Sequence, residues 1–300
     1  MPGSRINFPK AVLKLKQYFR SFISRKRFCS FTGTMNIKKH IPNTLTCGNL
    51  FCGCLAVVFA FKGDLVFSSY LVGIAAVLDF FDGFAARLLN VHSEIGKQLD
   101  SLADMVTFGV LPGVMMFLML ADAAAFHFSG TFNETSYTAF KSGMEFPSWL
   151  IYTAFMITIF SALRLAKFNI DTRQTSSFIG VPTPATAILI CSLPLIKFFQ
   201  PVLGSFNVLV IIENPWFLLT LTILMSFLMV AELPLFALKF KNFGWADNKI
   251  RFSFLITAVI LLVLLKFIAI PFIIFLYIIL SLVNNITDKT QGAADKEIIK

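Results

Sequence analysis

Charge is scarce in this chain. Only 14% of its 300 residues are Asp, Glu, Lys or Arg, where a soluble domain carries about a quarter. Apolar residues make up 57%, and the mean hydropathy is +0.78. This excludes an ordinary soluble globule. Several apolar runs are long enough for the roughly 20 helical residues that cross a hydrocarbon core of about 30 Å. Strict alternation of apolar and polar residues is missing, which excludes a membrane β-barrel. The cysteines are Cys29, Cys47, Cys52, Cys54 and Cys191. No CxxC pair or His/Cys spacing suggests zinc, so they read as free thiols. Near the N-terminus there is no compact apolar core followed by a small-residue cleavage site. A glycine-rich phosphate loop, an internal repeat and a soluble second domain are absent as well.

What is present is a series of apolar segments at roughly 44–62, 65–82, 99–121, 147–167, 181–200, 215–235, 252–266 and 268–284. They predict an all-α polytopic transmembrane bundle of about eight spans. The last two are short, and one tilted or re-entrant element broken near Pro271 is the alternative. The formal net charge of +10 is sorted along the chain rather than pooled, so it speaks of topology and not of nucleic acid. Apart from Lys62, Lys141, Lys197 and Lys266, every lysine and arginine falls before the first span, in alternate connections, or in the tail. The positive-inside rule then places both termini in the cytosol, in a multi-pass cell (inner) membrane protein. Residues 1–34 form a separate extension in which Phe8, Val12, Leu15, Phe19 and Phe22 recur at helical spacing among Lys and Arg. That pattern fits a basic amphipathic helix on anionic lipid. Alternatively, the natural start is at Met35. Residues 35–284 are the membrane domain, 122–146 a polar outer loop, and 285–300 a charged cytosolic tail.

Four acids stand out against this apolar background. Asp79 and Asp82 are three residues apart, and Asp100 and Asp104 four apart, so each pair shares one helix face. Carboxylates at membrane depth are costly and face a polar cavity with a partner. Magnesium or manganese is the partner that suits oxygen-only ligands and phosphate chemistry. Two such ions about 3.5–4 Å apart clamp a phosphoryl group. Arg87 adds a planar fork for pyrophosphate. Gly83 lets a nucleotide approach the backbone, and Gly96 permits a tight turn or close helix packing. His92 lies in the same segment but supplies nothing that the carboxylates lack.

The full pattern from Asp79 to Asp104 is Asp-x-x-Asp-Gly-x-x-Ala-Arg-x8-Gly-x3-Asp-x3-Asp. It resembles the signature of the CDP-alcohol phosphatidyltransferases. Three further stretches resemble the serine-using, integral-membrane branch of that family: Ile41-Pro42-Asn43-Thr44-Leu45-Thr46 with Asn49, Leu50 and Gly53 following, Leu163 to Asn169, and Phe178 to Ala185. Together the resemblance covers roughly 36–284. Lys167 is a departure, since the family more often has Arg there.

By resemblance, Asp79, Asp82, Asp100 and Asp104 hold two magnesium or manganese ions, and Asp104 is the general base. Gly83, Ala86, Arg87 and Ser93, with Asn43 and Thr46, contact the CDP-lipid. Arg164, Lys167 and Asn169 contact the acceptor. The implied substrates are CDP-diacylglycerol and L-serine, and the implied assembly is a homodimer. Plainer uses stay open: Pro42-Asn43 starting a helix, Arg164 and Lys167 anchoring a span at the cytosolic surface, and Pro182/Pro184 shaping a helix entrance. Two rival functions stay open too. One is a sibling enzyme taking glycerol 3-phosphate, inositol phosphate or another alcohol, which needs an extra basic cluster. The other is an ion transporter with an acidic relay.

Overall fold

The computed structural model describes residues 40–91, 93–129, 148–170, 178–200, 202–203, 206–235 and 248–298. The 1–34 extension and residues 130–146 of the outer loop lie outside them. The described chain is mostly helical. Helix α1 is His40–Phe61, α2 is Leu65–Leu88 and α3 is Glu94–Asp104. A π-helical turn, Met105–Val110, carries α3 directly into α4, Leu111–Ser129. A 3-10 segment, Ser148–Phe155, leads into α5, Met156–Ile170. Then follow α6 (Thr183–Phe199), a short α7 (Leu209–Ile212), α8 (Pro215–Val230), α9 (Lys249–Leu265) and α10 (Ala269–Ile298). Among the described residues, extended strands form two antiparallel pairs of two residues each. In one, β1 (Phe178–Ile179) meets β4 (Pro234–Leu235), and in the other β2 (Val202–Leu203) meets β3 (Phe206–Asn207).

Among the described residues, five helical stretches are long and apolar enough to cross a membrane: His40–Phe61, Leu65–Leu88, Glu94–Ala125, Trp149–Ile170 and Ile250–Asn284. The last is bent double. The Phe254 and Tyr277 rings lie 5.6 Å apart, which a straight helix rising 1.5 Å per residue forbids. The reversal is at Lys266–Ile268, where Lys266 has φ 48° and ψ −122°, between the expected segments 252–266 and 268–284 and ahead of the alternative break near Pro271. Its exposed backbone groups need partners at this depth. Gln200 supplies them: its Oε1 accepts from the N–H groups of Phe267 (2.8 Å) and Ile268 (3.3 Å), and its Nε2 donates to Leu265 O at 3.1 Å. Beyond the turn, α10 stays helical through Ile298, across much of the segment expected as a tail.

The α3–π–α4 rod is the centre of the bundle. Within its apolar window 72% of residues are buried, against 17–33% for the other four stretches. Phe108, Leu111, Met115, Met116 and Leu120 on this rod are buried completely. Lipid tails are as apolar as these side chains, so close packing of small residues must hold the helices together. Gly109 and Gly113 provide it toward α5. A Cβ on Gly109 would lie 3.2 Å from Ser161 Cβ, and one on Gly113 would lie 2.3 Å from Thr158 Oγ1. Thr158 also donates its hydroxyl to Gly109 O at 3.1 Å, which satisfies a carbonyl in the widened turn. Pro112, just downstream, lacks the N–H that an α-helix would give to Phe108 O. The most buried rod of the fold is therefore the one that carries Asp100 and Asp104.

Candidate active site

Local sequence brings the two acidic pairs together. Helix α2 runs six residues past the predicted end of its span, so Gly83, Ala86 and Arg87 are helical rather than in a connection. Asn90 then takes φ 55°, a left-handed conformation that Asn tolerates better than most residues. Ser93 caps α3 by accepting the Gly96 N–H at 3.3 Å, and Glu94 in the first turn suits the helix dipole. The chain thus reverses within residues 89–93 and sets the end of α2 against the start of α3.

One ligand atom from each of Asp79, Asp82 and Asp100 lies within 4.8 Å of the others. Asp82 is buried, and Asp79 and Asp100 are half-buried. Asp104 sits one turn along α3, outside that three-carboxylate group, and accepts from Asn49 Nδ2 at 3.3 Å. None of the four forms an ion pair with a lysine, arginine or histidine among the described residues. Converging carboxylates without a protein cation would repel one another at a few kcal/mol per close pair. The donor set is all oxygen, which fits a hard divalent cation.

The residues expected around the CDP-lipid divide into two groups. Gly83 and Arg87 are exposed and Ala86 is half-buried on α2. A Cβ on Gly83 would meet nothing within 4 Å, so this face of α2 is open. Arg87 Nε donates to Gly83 O at 2.9 Å, and the rest of its guanidinium has no protein partner among the described residues. Asn43 packs against the start of α3, where its Oδ1 would be 3.0 Å from a Cβ on Gly96. Thr46 is buried, and its hydroxyl lies 2.7 Å from Asp82 Oδ2 and 3.1 Å from Pro42 O. Its proton serves an aspartate. His92 lies outside the described residues.

The three acceptor candidates also separate. Arg164 is 6% exposed and donates Nε to Val181 O and Nη2 to Gly180 O. Gly180, at φ 75°, turns those carbonyls inward, and a Cβ there would lie 2.4 Å from Met229 O. The same segment is stitched to the end of α8 by Gly180 N–H to Leu233 O and Val181 N–H to Leu228 O. Lys167 is exposed. Asn169 donates Nδ2 to Ser101 Oγ at 2.9 Å, and its carbonyl accepts from Lys97 Nζ at 3.3 Å. It thereby ties the end of α5 to the turn bearing Asp100.

Sequence reasoning named Asn49 only within a resembling stretch and gave it no role, and it passed over Lys97, Ser101 and Thr107. Asn49 is fully buried and donates Nδ2 to Asp104 Oδ1 at 3.3 Å. A fully buried Asn in an apolar helix, three residues from Thr46, was a legible signal.

Residues 39–213 match the family model described as CDP-alcohol phosphatidyltransferase. The chain is similar to the CDP-diacylglycerol–serine O-phosphatidyltransferase of Bacillus subtilis, with 35% identity over 55% of this chain and 79% of the relative. It is 34% identical to the protein of that name in Helicobacter pylori, over 50% of this chain and 54% of the relative. The archaetidylserine synthase of Methanothermobacter thermautotrophicus is 26% identical over 55% of this chain and 62% of the relative. The chain thus spans about half the length of the Helicobacter relative. With the acidic cluster at the end of α2 and the start of α3, and with the family match running through both helices, the chain belongs to the CDP-alcohol phosphatidyltransferase family.

Proposed function

We propose that the chain transfers the phosphatidyl group of CDP-diacylglycerol to the hydroxyl of L-serine, releasing CMP and forming phosphatidylserine. The observation that carries this reading is the convergence of Asp79, Asp82 and Asp100 beside an open helix face bearing Gly83 and Arg87. The names of the relatives support serine as the acceptor. Arg164 adds to that support: its guanidinium is committed to backbone carbonyls, so it adds little to a basic cluster for a phosphorylated acceptor.

Asp79, Asp82, Asp100 and Asp104 would hold two magnesium or manganese ions, which supply charge neutralisation at the pyrophosphate. The protein's own groups do the rest. Ala86 and Gly83 leave room for the CDP head, and Ser93 and Asn43 border it at the start of α3. Arg87 offers its terminal nitrogens to the phosphates. Asp104 accepts the proton of the serine hydroxyl as that oxygen bonds to the phosphorus next to diacylglycerol. The pyrophosphate P–O bond breaks, and its electron pair leaves with CMP. Lys167 and Asn169 border the acceptor side.

The topology belongs to the same proposal. Eight spans, both termini and the active site on the cytosolic face, and a homodimer in the cell membrane are consistent with the charge placement and the apolar helices. The test is to supply the purified full-length protein with CDP-diacylglycerol, manganese and one alcohol at a time. CMP release with phosphatidylserine formation, from serine alone, is expected. Release only with glycerol 3-phosphate overturns the acceptor. Metal- or proton-coupled flux with no CMP release overturns the enzyme.

A further inference from the structure

Helix α1 is little buried, yet it is tied to the acidic cluster at two points. Thr46 and Asn49 are three residues apart, on one face of the helix. They are 3% and 0% exposed. Thr46 gives its hydroxyl to Asp82 Oδ2 at 2.7 Å, and Asn49 gives Nδ2 to Asp104 Oδ1 at 3.3 Å. One helix thus reaches one carboxylate of each pair.

The helix that offers these donors is itself pinned. Thr107 in the π-helical turn donates to Asn49 O at 3.3 Å, and Ser68 on α2 donates to Ala56 O at 2.8 Å. Gly53 makes the first of these possible, since a Cβ there would lie 2.3 Å from Thr107 Oγ1. The other end of the Asn49 carboxamide, Oδ1, is buried without a partner. Among the described residues, Thr107 holds the main-chain carbonyl of Asn49, and the side chain's hydrogen bond is the one to Asp104.

We infer that Thr46 and Asn49 are positioning residues that select which oxygen of Asp82 and of Asp104 faces the reaction. A carboxylate has two oxygens and about four lone-pair sites. A fixed donor on one oxygen stops the group from rotating and leaves the other oxygen for its working partner. Groups that support metal-binding carboxylates in this way typically change affinity or activity 10–100-fold when removed. The inference rests on the metal-dependent transfer proposed above, and the two residues separate within it. Thr46 supports a member of the three-carboxylate group, so its loss falls on metal binding. Asn49 supports Asp104, which carries the proposed base role and lies outside that three-carboxylate group, so its loss falls chiefly on turnover.

The experiment uses the full-length protein in detergent. Manganese binding is read from the electron paramagnetic resonance signal of free Mn(II), without substrates, alongside kcat and KM for serine transfer and thermal unfolding. Thr46→Val, which keeps the shape and removes the hydroxyl, should weaken manganese binding about tenfold or more. Thr46→Ser should restore it to within about threefold of wild type, on the same principle. Asn49→Leu, close to the same volume, should lower kcat about tenfold or more while KM for CDP-diacylglycerol holds. Unchanged manganese affinity in Thr46→Val, or equal loss in Thr46→Ser, overturns the role of the hydroxyl. An Asn49→Leu protein that unfolds earlier but keeps its kcat per folded molecule overturns the role of the amide. A wild-type protein that binds no manganese overturns the metal reading beneath both, a result distinct from variants that match a binding wild type.

Discussion

Replacing Gly53 with Ala tests how tightly α1 must sit against the catalytic rod. The added Cβ would lie 2.3 Å from Thr107 Oγ1, 3.1 Å from Thr107 Cβ and 3.2 Å from Thr107 Cα. Rotating the threonine side chain relieves the first contact but not the other two, because Cβ and Cα move only with the backbone. Reaching an ordinary separation requires the helices to part by roughly half an ångström. Overpacking of this kind costs about 1–3 kcal/mol, and losing the Thr107–Asn49 hydrogen bond adds about 1 kcal/mol.

The Asn49–Asp104 contact is already 3.3 Å long, and the same displacement takes it past hydrogen-bond range. Activity should therefore fall about 10–100-fold, and the unfolding temperature should drop. Gly113→Ala is the control. Its Cβ meets Thr158 Oγ1 at 2.3 Å, but Thr158 Cβ is at 3.6 Å and Ala154 O at 3.7 Å, so a rotation of Thr158 suffices. The cost is the Thr158–Gly109 hydrogen bond, about 1 kcal/mol, with activity retained. The assay is CMP release per folded molecule, beside thermal unfolding in detergent. A Gly53→Ala protein as active and stable as Gly113→Ala refutes the reasoning.

Three other substitutions probe separate parts of the fold. Asp104→Asn should keep CDP-diacylglycerol binding, measured by calorimetry, and lose about 10²–10⁴-fold in turnover as a base is removed; near-normal turnover removes Asp104 from that role. Gln200→Leu strips the α9–α10 reversal of three hydrogen bonds and should destabilise by about 2–4 kcal/mol, read as a lower unfolding temperature with kcat per folded molecule intact. Gly180→Ala combines a left-handed φ with a Cβ 2.4 Å from a main-chain oxygen, and should leave little folded protein in size-exclusion chromatography. A well-folded Gly180→Ala protein would show that the Arg164-bound segment is not held as tightly as its geometry requires.

The helices and the acidic quartet were legible because both depend on local spacing. Apolar runs marked the spans, and intervals of three and four residues paired the aspartates. The end of α2 was misjudged because Asp82 interrupts the apolar run, while the helix itself continues to Leu88. Arg164 was not legible. In sequence, a membrane anchor, a substrate contact and a backbone clamp are the same arginine. The contact that the structure adds is with a left-handed glycine 16 residues downstream that exposes its carbonyl. The reversal at Lys266–Ile268 fell between the expected segments 252–266 and 268–284, but what holds it was not legible. Its partner, Gln200, lies 65–68 residues away, and no window of sequence contains both. Asn49 differs from these, since a polar residue in an apolar helix is a local signal.

The arrangement of charge around the site makes one more demand. The interior holds acids with no protein cation to offset them, while Arg87 and Lys97 are exposed at the rim. A pyrophosphate is itself anionic. Brought beside the four carboxylates, it would meet like-charge repulsion of about 4 kcal/mol per pair at 4 Å in a partly wet site. One rim arginine cannot offset several such pairs. If the chain works as proposed, a divalent cation is needed for substrate to bind and not only for the chemical step. Chelation should cut CDP-diacylglycerol affinity by at least about a hundredfold, since about 2.7 kcal/mol corresponds to that ratio, and manganese should restore it. Asp104→Asn behaves differently under this reasoning: the group of Asp79, Asp82 and Asp100 remains to hold a cation, so binding is kept and turnover is lost. If CDP-diacylglycerol binds as tightly in chelator as in manganese, the electrostatic argument fails, and the carboxylates must be neutralised by protons instead.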